Sequence, residues 1–190
     1  MRKVLSMNQC IDLLEVISAC GTKRVRVLDR AFLISILLSG SRSRQWTWKY
    51  FLENLSDAPY AVFDAIRMLA LSRRLVVAPF NSIGFHADKW GSNAVMDYPI
   101  FSFSKTPLTT QETTRRVKRY ARLAGFPEFD ANLRILNNTH QMLLRTYGDS
   151  EAVAYALGLP TIWDRPSRDQ FSQPSIRDPR LHGIGRRSGA

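Results

Sequence analysis

The residues from Ala31 to Leu38 are apolar at every position but Ser35, and Leu28 extends the run by a further turn. A helix that is apolar on nearly every face is stable only when other helices enclose it. The segment Leu28 to Leu38 is therefore expected to be a buried central helix, stopped by Gly40. It is far shorter than the roughly 20 residues needed to cross a bilayer, so a membrane span is not expected and the rest of the chain must supply the shell. At 190 residues with 45% apolar content, one mainly helical domain with an appendage is the expected arrangement.

The shell is legible as amphipathic segments with start and stop signals. Ser6-Met-Asn-Gln9 has the form of a capping box, and Cys10, Leu13, Leu14 and Ile17 follow at helical spacing until Gly21. A basic turn, Lys23 to Arg26, leads into the central helix. After it comes an aromatic cluster of Trp46, Trp48, Tyr50, Phe51 and Leu52. Asp57-Ala58-Pro59 then starts a helix with Val62, Ile66 and Leu69 inward, running to about Arg73. Residues 75 to 104 hold Pro79, Gly84, Gly91 and Pro99 among short β-prone stretches and read as irregular loops with little strand. A second capping box, Thr109 to Glu112, opens a helix with Val117, Ala121 and Ala124 on one side and Arg115, Arg119 and Arg122 on the other, closed by Gly125. A helix from Asp130 or Asn132 to Tyr147, with Leu136, Leu143 and Tyr147 inward, and a short one from Asp149 or Ser150 to Gly158 complete the set.

Charge narrows the partners. Twenty-seven Lys+Arg against 16 Asp+Glu give a net charge of +11, which favours an anionic partner, most commonly nucleic acid. Cys10 and Cys20 form neither a disulfide framework nor a metal cluster and read as small buried hydrophobes in a reducing compartment, the prokaryotic cytosol or nucleoid. His86, His140 and His182 lack ligand spacing, so no metal or cofactor is expected. The first residues carry charge without an apolar h-region, which argues against a secretory signal. From Pro160 onward the chain has four prolines, three glycines, six arginines and two aromatics. Residues 161–190 are expected to be a tail that orders only on a partner.

The stretch Arg30 to Trp46, with a buried helix ending in Gly40-Ser41-Arg42, resembles the catalytic domain of tyrosine recombinases, the phage-integrase family. The order downstream agrees: the Pro59 helix, Ile100-Phe101, the basic helix Thr109 to Gly125, Leu136-Asn-Asn-Thr139, Gly148-Asp149 and Ala156-Leu-Gly158. The resemblance covers about residues 5 to 165. It implies a compact multi-helix domain in which the arginine at Arg42 grips a phosphate. It also implies a degenerate pocket. In the ungapped register the family's histidine is Arg134, its second arginine is Asn137, its later histidine is Leu159 and its nucleophilic tyrosine is Arg168. A shifted register on Leu133-Arg134 keeps one arginine but places Ala131 at the histidine and needs an insertion. Gln45 stands where the family has an acid, the lysine-bearing β-hairpin is reduced or lost, and nothing before Ser6 resembles the family's N-terminal DNA clamp. The resemblance thus implies a relative that cuts no strand.

What remains is binding chemistry. Arg115, Arg116, Lys118, Arg119 and Arg122 place five cations in eight residues, suited to phosphates or to a solvated face. Arg42 and Arg44 beside Gly40, with Arg134 and Arg145 on the later helix, join the candidate nucleic-acid set, DNA before RNA; Arg42 is equally suited to capping its helix. Arg134, Asn137 and Asn138 fit hydrogen bonding inside a remodelled fold or ligand contact. The Trp46/Trp48 cluster fits core, a partner interface or base stacking. The tail fits a nucleic-acid backbone, a neighbouring subunit or plain disorder. Two functions follow: a non-catalytic nucleic-acid-binding accessory or architectural protein, and a protein-interaction subunit of a nucleoprotein complex with little binding of its own.

Overall fold

The computed structural model describes residues 3–54, 57–73, 97–102, 107–126 and 132–162. Among these it has seven α-helices, one 3-10 turn and no strand: α1 (Met7–Ala19), α2 (Lys23–Ser39), the 3-10 turn η1 (Ser41–Gln45), α3 (Trp48–Glu53), α4 (Tyr60–Ser72), α5 (Thr110–Leu123), α6 (Leu133–Tyr147) and α7 (Ser150–Ala156). No described helix is long and apolar enough to cross a membrane.

α2 is the axis. Leu28, Asp29 and every residue from Ala31 to Leu38 are buried on it, and it touches α1, α4, α6, α7 and η1. The basic segment Lys23 to Arg26 is its first turn rather than a separate one. Cations there oppose the helix dipole, and the Thr22 side chain makes no capping bond. One of these cations, and a further arginine one turn on, have another use. Arg26 donates to the Ser18 carbonyl (3.1 Å), and Arg30, one turn on, to the Ser18 hydroxyl (2.7 Å) and the Leu14 carbonyl (3.3 Å), so both guanidiniums satisfy the C-terminal end of α1. The Ser35 hydroxyl inside the run is buried without a hydrogen-bond partner.

Around this axis the amphipathic stripes fall inward as patterned. Cys10, Leu13, Leu14 and Ile17 of α1, and Val62, Ile66 and Leu69 of α4, are buried. Both capping boxes close in both directions. α4 begins one residue after Pro59, outside Asp57. Its first free N–H, on Tyr60, is met by the Glu151 carboxylate of α7 (2.6 Å), an anion at a helix N-terminus. At the other end, Arg73 donates to the carbonyls of Ile100 and Ser102 and so ties the 97–102 segment down. That segment meets the chain after η1 in a single antiparallel bridge, Thr47 to Pro99. It seats Ile100 and Phe101 in the core, Phe101 edge-on to Phe32 at 5.5 Å. Where a β-hairpin would stand between Arg42 and Pro59, the described residues hold η1, this bridge and α3.

Three further expectations change. Tyr147 is 39% exposed, because residues 145–149 all lie in solvent as α6 runs past the core toward Gly148. Cys20 is only half-buried, sitting at the C-cap of α1. Trp48 and Phe51 are core residues, 1% and 2% exposed, which withdraws Trp48 from the proposed partner surface and leaves half-buried Trp46 leaning on exposed Tyr50 at 6.1 Å. Residues 74–96 and the tail from 163 onward lie outside the described residues.

Cys10 carries a pH prediction. Burial pushes its thiol from the ordinary value of 9.0 up to about 12. Because the folded thiol holds its proton longer than the unfolded one, stability is complete below pH 9.0 and is lost as the pH climbs toward about 12. Melting temperatures measured between about pH 8 and 11 should fall, and Cys10→Ala should flatten the fall. A wild-type curve that stays level over that range would contradict the burial.

Candidate nucleic-acid interface

The turn that carries Arg42 is built by α2 and held by α6. Gly40 ends α2 with φ +82° and ψ 174°, a conformation essentially reserved for glycine. The His140 ring of α6 lies so close that a Cβ on Gly40 would sit 3.2 Å from its Cδ2. Nδ1 of that ring contacts the Leu37 carbonyl at 2.9 Å; since a carbonyl only accepts, Nδ1 carries the proton. One turn earlier on α6, Asn137 Oδ1 accepts from the Ser41 N–H (3.4 Å) and hydroxyl (3.1 Å). Ser41, the residue before Arg42, and Asn137 thus meet in space, 96 residues apart. Asn137 here holds the backbone of the turn, and Arg42 projects exposed from it.

Gly40→Ala should cost about 1 to 3 kcal/mol for the backbone conformation alone, before His140 moves aside. Urea denaturation should show the loss, and a variant as stable as wild type would mean that the turn is not strained.

η1 also reaches α5. Arg44 donates to the Thr110 hydroxyl oxygen (2.7 Å) in the first turn of that helix, while its Nε is buried without a partner. Along α5, Arg115, Arg119 and Arg122 are exposed and Lys118 is half-buried. Their spacing of three and four residues makes one stripe about 10 Å long. Thr113, Val117, Tyr120 and Ala121 fill the opposite face. Glu112, in the first turn of the helix, is turned back to its own cap. It accepts from the Thr109 N–H (2.8 Å) and hydroxyl (2.9 Å), which hold its carboxyl below the usual range. Arg115, Lys118, Arg119 and Arg122 give this side of α5 its positive charge.

Arg116 departs from the expected set. It lies between the two faces, and its Nη1 donates to both carboxylate oxygens of Asp29 on α2 (2.9 and 3.0 Å). The Tyr120 hydroxyl donates to the same carboxylate at 2.5 Å. Asp29 is 3% exposed, so an ion pair with a second donor is what its burial requires. Burial holds the Asp29 carboxyl above its ordinary range, and Tyr120, Arg116 and the field of Arg119 offset only part of the rise. A lone acid inside an apolar run was the signal for this pair, since a buried carboxylate must find a cation; its partner's place on α5 was not written locally.

The remaining positions scatter. Arg134 and Arg145 are exposed on α6, eleven residues apart and so on one side of that helix. Asn138 donates to the Lys3 carbonyl (3.4 Å), and Thr139 accepts from the Leu5 N–H (2.9 Å). These bonds strap the N-terminal segment to α6. Leu159 is buried, lining a groove with Ile11 and Leu14 of α1. Arg168 lies outside the described residues. Among the described residues no three metal-ligating side chains converge. No family model, curated protein or solved structure matches the chain.

Proposed function

We propose that this protein binds nucleic acid without cutting it, as an accessory or architectural factor of the prokaryotic cytosol or nucleoid, on a helical domain related to the tyrosine recombinase catalytic domain. The exposed cationic stripe of α5 carries the reading. Arg115, Lys118, Arg119 and Arg122 stand on one side of a helix whose other side is buried in the core, so their attachment points are fixed relative to one another. Arg44 joins the start of this helix to η1, which brings Arg42 onto the same part of the molecule. The contact of Ser41, the neighbour of Arg42, with Asn137 supports the kinship, since a pocket of that type needs its two arginine positions close together. With asparagine at 137 and buried leucine at 159, the residues at those positions offer phosphate a turn and one arginine, with no nucleophile or proton donor from them. Phosphate contacts carry no sequence information, so binding through them is of low sequence specificity, with duplex DNA as the favoured ligand.

The test is the salt dependence of binding to a short DNA duplex. Four neutralised phosphates give a log–log slope of roughly −3.6, equivalent to about a 150-fold loss of affinity between 50 and 200 mM salt. Affinity that does not respond to salt would refute the reading, and tighter binding to an RNA duplex of the same length would reassign the ligand.

A further inference from the structure

Arg116 sits where two anions can reach it. On the helical wheel it is about 60° from Arg119, at the edge of the cationic stripe, and its side chain is 21% exposed. Its guanidinium nevertheless turns inward to the Asp29 carboxylate, which already has the Tyr120 hydroxyl. Asp29 can therefore keep one donor when Arg116 leaves, and the field of Arg119 also bears on it. We propose that Asp29 is an intramolecular rival of phosphate: by holding Arg116, it limits how many backbone phosphates α5 engages and sets the affinity of the stripe below its maximum. The inference rests on the phosphate-binding reading of α5.

Removing the rival's charge while keeping its shape exposes the competition. Asp29→Asn retains an oxygen to accept from Tyr120 and removes the charge that pairs Arg116 inward. Its salt slope on a DNA duplex should steepen by roughly 0.9, the value of one added phosphate, with affinity at about 50 mM salt rising roughly tenfold. Arg116→Gln, whose amide can still donate to Asp29, should keep the wild-type slope, because Arg116 contacts no phosphate in the wild type. The double variant Asp29→Asn with Arg116→Gln should return to the wild-type slope. Far-ultraviolet circular dichroism and a melt check each variant's fold. An unchanged or shallower slope for folded Asp29→Asn overturns the proposal, as does a slope about 0.9 shallower for Arg116→Gln, the variant that decides if Asp29→Asn does not fold. A wild type that shows no salt-dependent binding removes the phosphate reading and the rivalry with it. A wild type that binds, with Asp29→Asn binding identically, removes the rivalry alone.

Discussion

Reversing two charges on α5, Arg115→Glu together with Arg119→Glu, is expected to lower affinity for a DNA duplex by about 100-fold near 0.1 M salt. Two lost contacts remove roughly 1.8 from the salt slope, which amounts to about 60-fold at 0.1 M relative to 1 M, and two new carboxylates facing phosphates add repulsion. The fold should hardly respond. Both side chains are exposed, and surface changes of this kind stay within about 0.5 kcal/mol. The two readouts together discriminate. Lost binding with an unchanged melting temperature places the ligand on this stripe, whereas undiminished binding would mean that the phosphates contact another part of the chain. The same reversal at Arg116 would behave differently, because it sets two carboxylates against each other in the core beside Asp29.

Leu37→Ala is expected to have the largest effect on stability, about 3 kcal/mol within a range of 2 to 5. Leu37 is fully buried on α2, the helix that α1, α4, α6 and α7 all touch, so no mobile surface element can collapse into the space left. For a domain whose total stability is of the order of 5 to 15 kcal/mol, the loss is a large fraction. The urea midpoint should fall with the slope of the transition unchanged. A shift under about 1 kcal/mol would mean that the helix is less enclosed than its neighbours imply. The variant also has a local readout, since the Leu37 carbonyl bonds His140, which crowds Gly40. Any displacement of α2 there is passed to the turn that bears Arg42.

Much of this molecule could be read without coordinates, and the reason is the range of the forces involved. A capping box needs two side chains three residues apart, so Ser6 with Gln9 and Thr109 with Glu112 declared their helices locally. The burial of α2 followed from its lack of any polar face, and the charge of the α5 stripe from its spacing. Positions whose partners are remote in the chain could not be read this way. Nothing near Arg116 says that it faces Asp29, 87 residues away. Nothing near Asn137 says that its amide oxygen holds Ser41, 96 residues away. Trp46 and Trp48 look alike in sequence, and only the packed fold buries one while leaving the other partly open. Local pattern and composition thus determined which helices form, which faces are apolar and how much positive charge the chain carries. Tertiary packing alone decided which of those charges reach solvent and which are held by a buried carboxylate, because long-range pairing depends on how the helices dock and not on the residues beside each charge.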